Sequence, residues 1–280
     1  MKLQKEHRGN FFEILDGLLH KVERKVISYK KLGLCPGETY ANPDDAPRTA
    51  TIFNGFPGKK VCVPVRKGDP EGHRWCSAEP LWINWDQASV CYLQNAPESR
   101  WQGYSFFFLP GVTWTLHANH VALKARVQPP CVFDASGSRL TPIGNLLTVN
   151  QFLALLSSDL FSYIVKKFVK NTQDYEVNDL RMAPIVVPSR SQAKELESLA
   201  NCAIKAKELS LKNAEPAAEL VTYCRNLVER QQTAPAYLQP RPQILLLHTS
   251  EDCLAIIELA VNWAVERLYG VEGLGPFHEF

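Results

Sequence analysis

No run of about eighteen apolar residues free of charge occurs in the 280-residue chain, so no segment reads as a membrane-spanning helix. The opening MKLQKEHRGNFFEILDG carries acids where a signal peptide would have its apolar core. The expectation is a cytoplasmic protein with no membrane partner. The eight cysteines include no CxxC pair, and scattered thiols fit a reduced cytosolic protein better than a disulfide framework. P-loop and GxSxG elbow are both absent, which excludes that phosphate cradle and that serine nucleophile. Charge of one sign is scarce too: 31 Lys and Arg stand against 29 Asp and Glu, for a net charge of +2. Global charge therefore does not announce a nucleic-acid partner, and any basic surface must be local. The length allows one large domain or two small ones with a real core.

What is present is concentrated in the stretch 103–188. Phe106, Phe107, Phe108, Val112, Trp114 and Leu116 are side chains that suit a pleated, half-buried strand face. Pro110-Gly111 interrupts them as a turn or bulge. One long apolar helix is predicted next. Thr148 and Gln151 stand at capping-box spacing, so the hydroxyl can accept a free backbone N–H while the amide reaches back. Leu153, Leu156, Leu160, Ile164 and Phe168 then recur at three and four residues and share one face. Lys166, Lys167 and Lys170 fall in the last turn, where cations suit the negative end of the helix dipole. Asn171-Thr172-Gln173 makes a polar loop beside them, and Ile185-Val186-Val187, closed by Pro188, reads as a buried strand.

Upstream, Phe11, Ile14, Leu15, Leu18, Leu19, Val22, Val26 and Tyr29 repeat at helical spacing up to Gly33. Lys21, Arg24, Lys25, Lys30 and Lys31 on the other face fit a solvated helix surface better than phosphate contact. Asp16, Glu23 and Lys25 imitate the acid-acid-lysine order of restriction nucleases, but one helix cannot cradle a metal as strands do. Residues 34–48 read as a loop, and 51–65 as two strands broken at Asn54-Gly55 and Pro57-Gly58. His73, Cys76, Cys62 and Cys91 could be imagined as a zinc set, yet their spacing is irregular; a surface histidine and small buried thiols is the plainer reading. Trp75, Trp82, Trp85 and Trp101 read mostly as core, although one or two could stack on an unpaired base. His117 and His120 have no acid at ligand spacing. Downstream, Ser189 and Gln192 repeat the capping-box spacing before a helix to about Asn213. Pro216 opens a second helix to about Leu227, Ile244–Leu247 reads as a short strand or extended apolar segment, and Ser250 caps a last helix that Gly270 stops.

Several of these segments carry a resemblance. "GVTWTL", "LKARVQPPCVFDASGS" and "FLALLSSDLFSYIVKKFVKNTQDYEVNDLRMAPIVVPS" occur in the order seen in the target-recognition region of type II restriction–modification methylases. More narrowly, the chain resembles the C-terminal half of fused restriction–modification enzymes that methylate adenine at N6. "VPVRKGDPEGHRWCSAEPLWINWD" and "ELAVNWAVERLYGV" extend the likeness to roughly 51–271, and 171–188 is its most specific part. Ser157-Ser158 departs mildly from the family's usual Asn-Ser. The larger departure is the missing catalytic half. The chain has neither the glycine-rich turn that holds S-adenosylmethionine nor the Asn/Asp-Pro-Pro-aromatic loop that grips a flipped adenine; Asn42-Pro43 is followed by Asp44. It could be a split specificity subunit, a gene fragment, or part of a larger enzyme.

The resemblance implies an α+β fold: a twisted, mostly antiparallel sheet domain with a long central helix and a helical C-terminal region. The partition is an N-terminal helix and linker over 1–48, a DNA target-recognition domain over 49–190, and a helical part over 191–280 packing on it. It implies no active site, metal or cofactor in this chain; S-adenosylmethionine belongs to the catalytic partner. The implied partners are double-stranded DNA and a methyltransferase domain or subunit, in phage defence. Cations near the DNA-facing loops are Arg66, Lys67, Lys124, Arg126, Lys166, Lys167, Lys170 and Arg181. Lysines would grip phosphate, and arginines could be bidentate to guanine. Asn171 and Gln173 have amides suited to adenine, although such residues more often satisfy nearby backbone, and Arg181 could instead pair with Asp179. The alternative function is a protein-interaction module that holds a defence complex together.

Overall fold

The computed structural model describes residues 46–57, 61–69, 71–77, 81–99, 101, 103–116, 122–134, 137–142, 146–170 and 174–277. The helix predicted over 11–29, the histidines His117 and His120, and the amides Asn171 and Gln173 lie outside them. In chain order the elements are α1 (Ala46–Asn54), β1 (Cys62–Arg66), β2 (Leu81–Asn84), α2 (Gln87–Asn95), β3 (Gly111–Thr115), β4 (Arg126–Gln128), β5 (Val132–Phe133), β6 (Gly137–Leu140), α3 (Val149–Leu156), α4 (Asp159–Ile164), α5 (Val177–Met182), α6 (Arg190–Leu211), α7 (Ala218–Gln231) and α8 (Ser250–Tyr269). This is the expected α+β class, with small, mostly antiparallel sheets and a helical C-terminal region. Among the described residues no helix is long and apolar enough to cross a membrane.

The chain forms two compact units, and they interleave along the sequence. The first takes Met1–Lys67, Glu79–Leu109 and Pro129–Ala135; the second takes Gly68–Ala78, Pro110–Gln128 and Ser136–Phe280. Residues 191–280 thus share a unit with 136–190, and 49–190 is divided between the two.

In the first unit, β1 pairs antiparallel with β2 and parallel with β5. Ile52, Phe56, Val63, Trp85, Val90, Phe107, Phe108 and Val132 pack as its core. Asp86 caps α2 by accepting from the Ser89 N–H at 2.9 Å. Gly55 is required before it: its φ is +71°, and a Cβ there would meet the Asp86 carbonyl carbon at 2.6 Å. Two predicted strands give way here. Residues 51–54 end α1 instead, because Ile52 and Phe56 both turn into the aromatic core while Trp85 Nε1 donates to the Thr51 carbonyl at 3.1 Å. Phe106 closes a 3-10 turn (Tyr104–Phe106), and Phe107 and Phe108 are consecutive yet both buried. A strand would send them to opposite faces; the turn and the left-handed Phe108 (φ 62°) let both rings pack edge-on against Trp85.

In the second unit, β3 lies between β4 and β6, antiparallel to both. The fully buried Trp114 donates from Nε1 to the Tyr175 carbonyl at 2.7 Å, fastening the strand to the segment ahead of α5. Both predicted capping boxes form, Thr148 with Gln151 on α3 and Ser189 with Gln192 on α6. Leu153, Leu155 and Leu156 fill the core with Leu196, Leu199, Ile256, Ile257 and Val261. Each such side chain contributes about 1.5–3 kcal/mol of burial.

The central helix, however, is interrupted. α3 ends at Leu156, and Ser158 caps α4 by accepting from the Phe161 N–H at 3.2 Å. A π-helical turn then runs over Val165–Val169. The extra residue in that turn rotates the side chains after it about the helix axis. Phe168, expected on the apolar face, is 75% exposed, while Val165 and Lys166 are buried. Ile185-Val186-Val187 forms no strand: proline at 184 and 188 removes two backbone donors, and Val187 is exposed. Residues 242–246 are a 3-10 helix rather than a strand or extended segment. The last helix is capped by Thr249, not Ser250, because Thr249 and Asp252 have the reciprocal spacing. Gly270 stops it in a left-handed conformation, as expected.

Candidate nucleic-acid interface

The two segments that bracket residues 171–173 are the π-helical turn and α5, and Lys170 ties them together. Its Nζ lies 3.0 Å from Glu176 Oε1 and 3.5 Å from Asp179 Oδ2. The hydrogen bond to Glu176 and the nearby Asp179 charge push the Lys170 ammonium above its ordinary range. Asp179 also accepts from the Glu176 N–H at 2.8 Å, closing the first turn of α5 as a reciprocal cap. Asp179 therefore pairs with Lys170.

The cations named from the sequence fall into three groups. Lys67, Lys167 and Arg181 are exposed. Arg66 and Lys124 are half-buried; Arg66 ends β1, where its carbonyl accepts from the Asp134 N–H at 3.3 Å. Arg126 and Lys166 are buried and leave the DNA-facing set. Arg126 is 1% exposed on β4, with Nη2 3.4 Å from Thr115 Oγ1 and Nε 3.9 Å from Asp69 Oδ2. Alternation on the strand turns it inward, where Asp69 balances its charge. Lys166 is 6% exposed, and its Nζ sits 3.9 Å from the centre of the Tyr175 ring. Burial lowers its pKa against the pull of Asp174 and Asp179. Burial also raises the Tyr175 phenol, so that ring stays neutral. Arg66 and Lys67 belong to the first unit and the other described cations to the second.

Around Arg126 is a polar cluster that the sequence did not disclose. His73 Nδ1 lies 2.8 Å from Asp69 Oδ2, and its Nε2 lies 3.0 Å from Glu71 Oε2. Thr115 Oγ1 donates to the Asp69 carbonyl at 2.8 Å. Burial would raise the Asp69 carboxyl, but the His73 hydrogen bond and the Arg126 charge bring it below its ordinary value. The one signal for it in the sequence is the four-residue spacing of Asp69 and His73, which is too common to single out a cluster. His73 presents its two ring nitrogens to different acids, and among the described residues no three His, Cys, Asp or Glu converge as metal ligands. Cys62 instead donates to Asn84 Oδ1 at 3.1 Å. Trp75, Trp85 and Trp114 are buried.

Lys167 and Arg181 can thus meet an anion without breaking a described ion pair, and Phe168 and Met182 stand exposed next to them in sequence. Comparison of the chain with protein-family models and with curated proteins gives no match.

Proposed function

We propose that this chain is a DNA sequence-recognition module of an adenine-N6 DNA methyltransferase, acting in cytoplasmic restriction–modification or phage defence. The module binds double-stranded DNA and positions it for a catalytic domain or subunit that holds S-adenosylmethionine. The observation that carries the reading is the pair of exposed cations, Lys167 and Arg181, on two segments that Lys170 joins through Glu176 and Asp179. Ion pairing spends Lys170 on holding the segments and leaves its neighbours for phosphate or guanine. The resemblance of 171–188 to methylase recognition regions points the same way. Adenine methylation requires the base to leave the stack, and a separate lobe on the duplex supplies both grip and readout.

A second reading, a protein-interaction module of a defence complex, draws on Phe168, Met182 (65% exposed) and Val187 (55%), apolar side chains open to solvent in the same region. Fluorescence anisotropy of a random duplex pool at about 50 and about 200 mM salt separates the two. Binding that weakens steeply with salt supports DNA recognition. Absence of binding by folded protein, alone and with a captured methyltransferase partner present, overturns it in favour of the second reading.

A further inference from the structure

The π-helical turn puts an aromatic ring in solvent where helical counting would have buried it. Single π-turns inside helices are uncommon and recur at functional sites. Phe168 is 75% exposed at this one. Its ring meets Tyr163 of α4 at 6.1 Å between centroids and 69° between planes, a contact that leaves at least one face of Phe168 open. Tyr163 in turn meets Phe277 at 5.4 Å and 62°. Phe277 comes from the segment after α8, and hydrogen bonds hold its approach. The Val271 N–H donates to the Glu266 carbonyl at 3.0 Å, the Gly275 N–H donates to the Tyr237 hydroxyl at 3.2 Å, and that hydroxyl donates to Glu266 Oε2 at 2.6 Å. Three rings from two distant parts of the second unit thus form one aromatic surface that ends in an open ring. Lys167 precedes Phe168, and α5, which packs against the turn, carries the exposed Arg181 and Met182. Lys170 offsets Glu176 and Asp179, and Asp174 acts on the buried Lys166, so Lys167 and Arg181 keep their charge for a polyanion.

We propose that Phe168, backed by Tyr163 and Phe277, is a stacking site for an unpaired nucleobase whose flanking phosphates lie on Lys167 and Arg181. The proposal rests on the DNA-recognition reading and names what this surface holds. Every base has a π-face, so an open ring binds it without reading sequence, while cations beside the ring hold the backbone. Inside a duplex both faces of a base are covered by its neighbours, and only a base that has left the stack can reach Phe168. Adenine methylation creates such bases, the extruded adenine and the partner it leaves behind. Trp75, Trp85 and Trp114 are buried and out of reach. A polyanion accounts for the cations and the ring together; an apolar protein face accounts for the ring only.

The test measures anisotropy of end-labelled probes with the full chain at about 50 mM salt: an intact duplex, the same duplex with one extra unpaired base, and one of its single strands. The two duplexes carry nearly the same phosphates, so the ratio of their affinities isolates the base. The bulged duplex should bind at least about fivefold more tightly than the intact one, the lower end of what one stacked base contributes. Phe168→Ala should bring that ratio close to one, and Phe168→Tyr should keep it; the side chain is exposed, so both variants should fold. With 5-iodouracil as the unpaired base, ultraviolet light should join it to the peptide that carries Phe168. A single strand that binds as tightly as the bulged duplex, with the same loss in Phe168→Ala, assigns the site to single-stranded segments; a weaker one assigns it to bases displaced from a duplex. Salt-dependent binding of the intact duplex with no preference for the bulge, or a preference that Phe168→Ala retains, overturns the stacking site and leaves the recognition reading standing. Binding of no probe by folded protein, alone and with a captured methyltransferase partner, overturns both and leaves the aromatic surface to a protein partner.

Discussion

A half-buried and a buried carboxylate of the second unit, Asp69 and Glu266, show how surroundings set the sign of a pH effect. Asp69 faces His73 and Arg126, and its folded pKa lies below its ordinary value despite burial. Its contribution to stability is therefore fully present above the ordinary carboxylate range and is lost as pH falls through the folded value. Asp69→Asn is expected to cost about 1–3 kcal/mol at neutral pH, because it removes a carboxylate that faces the buried Arg126 guanidinium. In urea titrations the gap between wild type and variant should close under acid. Glu266 is the opposite case. Burial, followed by the charges of Glu272 and Asp159, raises its pKa, although Tyr237 donates to Oε2 at 2.6 Å. Stability then falls as pH rises from the unfolded value through the raised folded one. Glu266→Gln should remove that decline while keeping an oxygen for Tyr237. A stability-against-pH curve no flatter than wild type would refute this.

Elements were legible where their signals are local. Capping boxes at Thr148 and Ser189 could be read directly because the hydrogen bonds join residues three apart. The break at Ser157-Ser158 was not, since the apolar period runs straight across it. Ser158 does two jobs there: its hydroxyl accepts from the Phe161 N–H and donates to the Leu155 carbonyl at 2.8 Å. Ser158→Ala is expected to destabilise the protein by about 1–2 kcal/mol, measurable as a lower urea midpoint at unchanged slope. The π-turn explains the misplaced Phe168. Helical counting assigns it to the core, and one added residue turns it to solvent while Lys166 goes in. The same shift removes Lys166 from the candidate site and leaves Lys167 in it.

Across the whole molecule, a net charge of +2 leaves little long-range attraction for DNA, so binding must come from a few exposed cations. Each phosphate contact removed should lower the salt slope of binding by about one. Lys167→Ala combined with Arg181→Ala is thus expected to reduce the slope by about two if both touch phosphate, whereas Lys166→Met should leave it unchanged. Equal slopes for the double variant and wild type would remove these two residues from the interface.

Sequence pattern alone settled the mixture of helix and strand, the capped helices at Thr148 and Ser189 and the stop at Gly270, because each depends on neighbours in sequence or on simple exclusion from water. Only the tertiary structure decided which cations stay at the surface. Arg126 and Lys166 look like any other basic residues in the sequence; inside the fold Arg126 meets Asp69 from a distant segment, and Lys166 meets Tyr175 across the loop that follows it. The same holds for the two units and the aromatic turn at 104–108. Each arises from packing between parts of the chain whose separation in sequence carries no periodic signal.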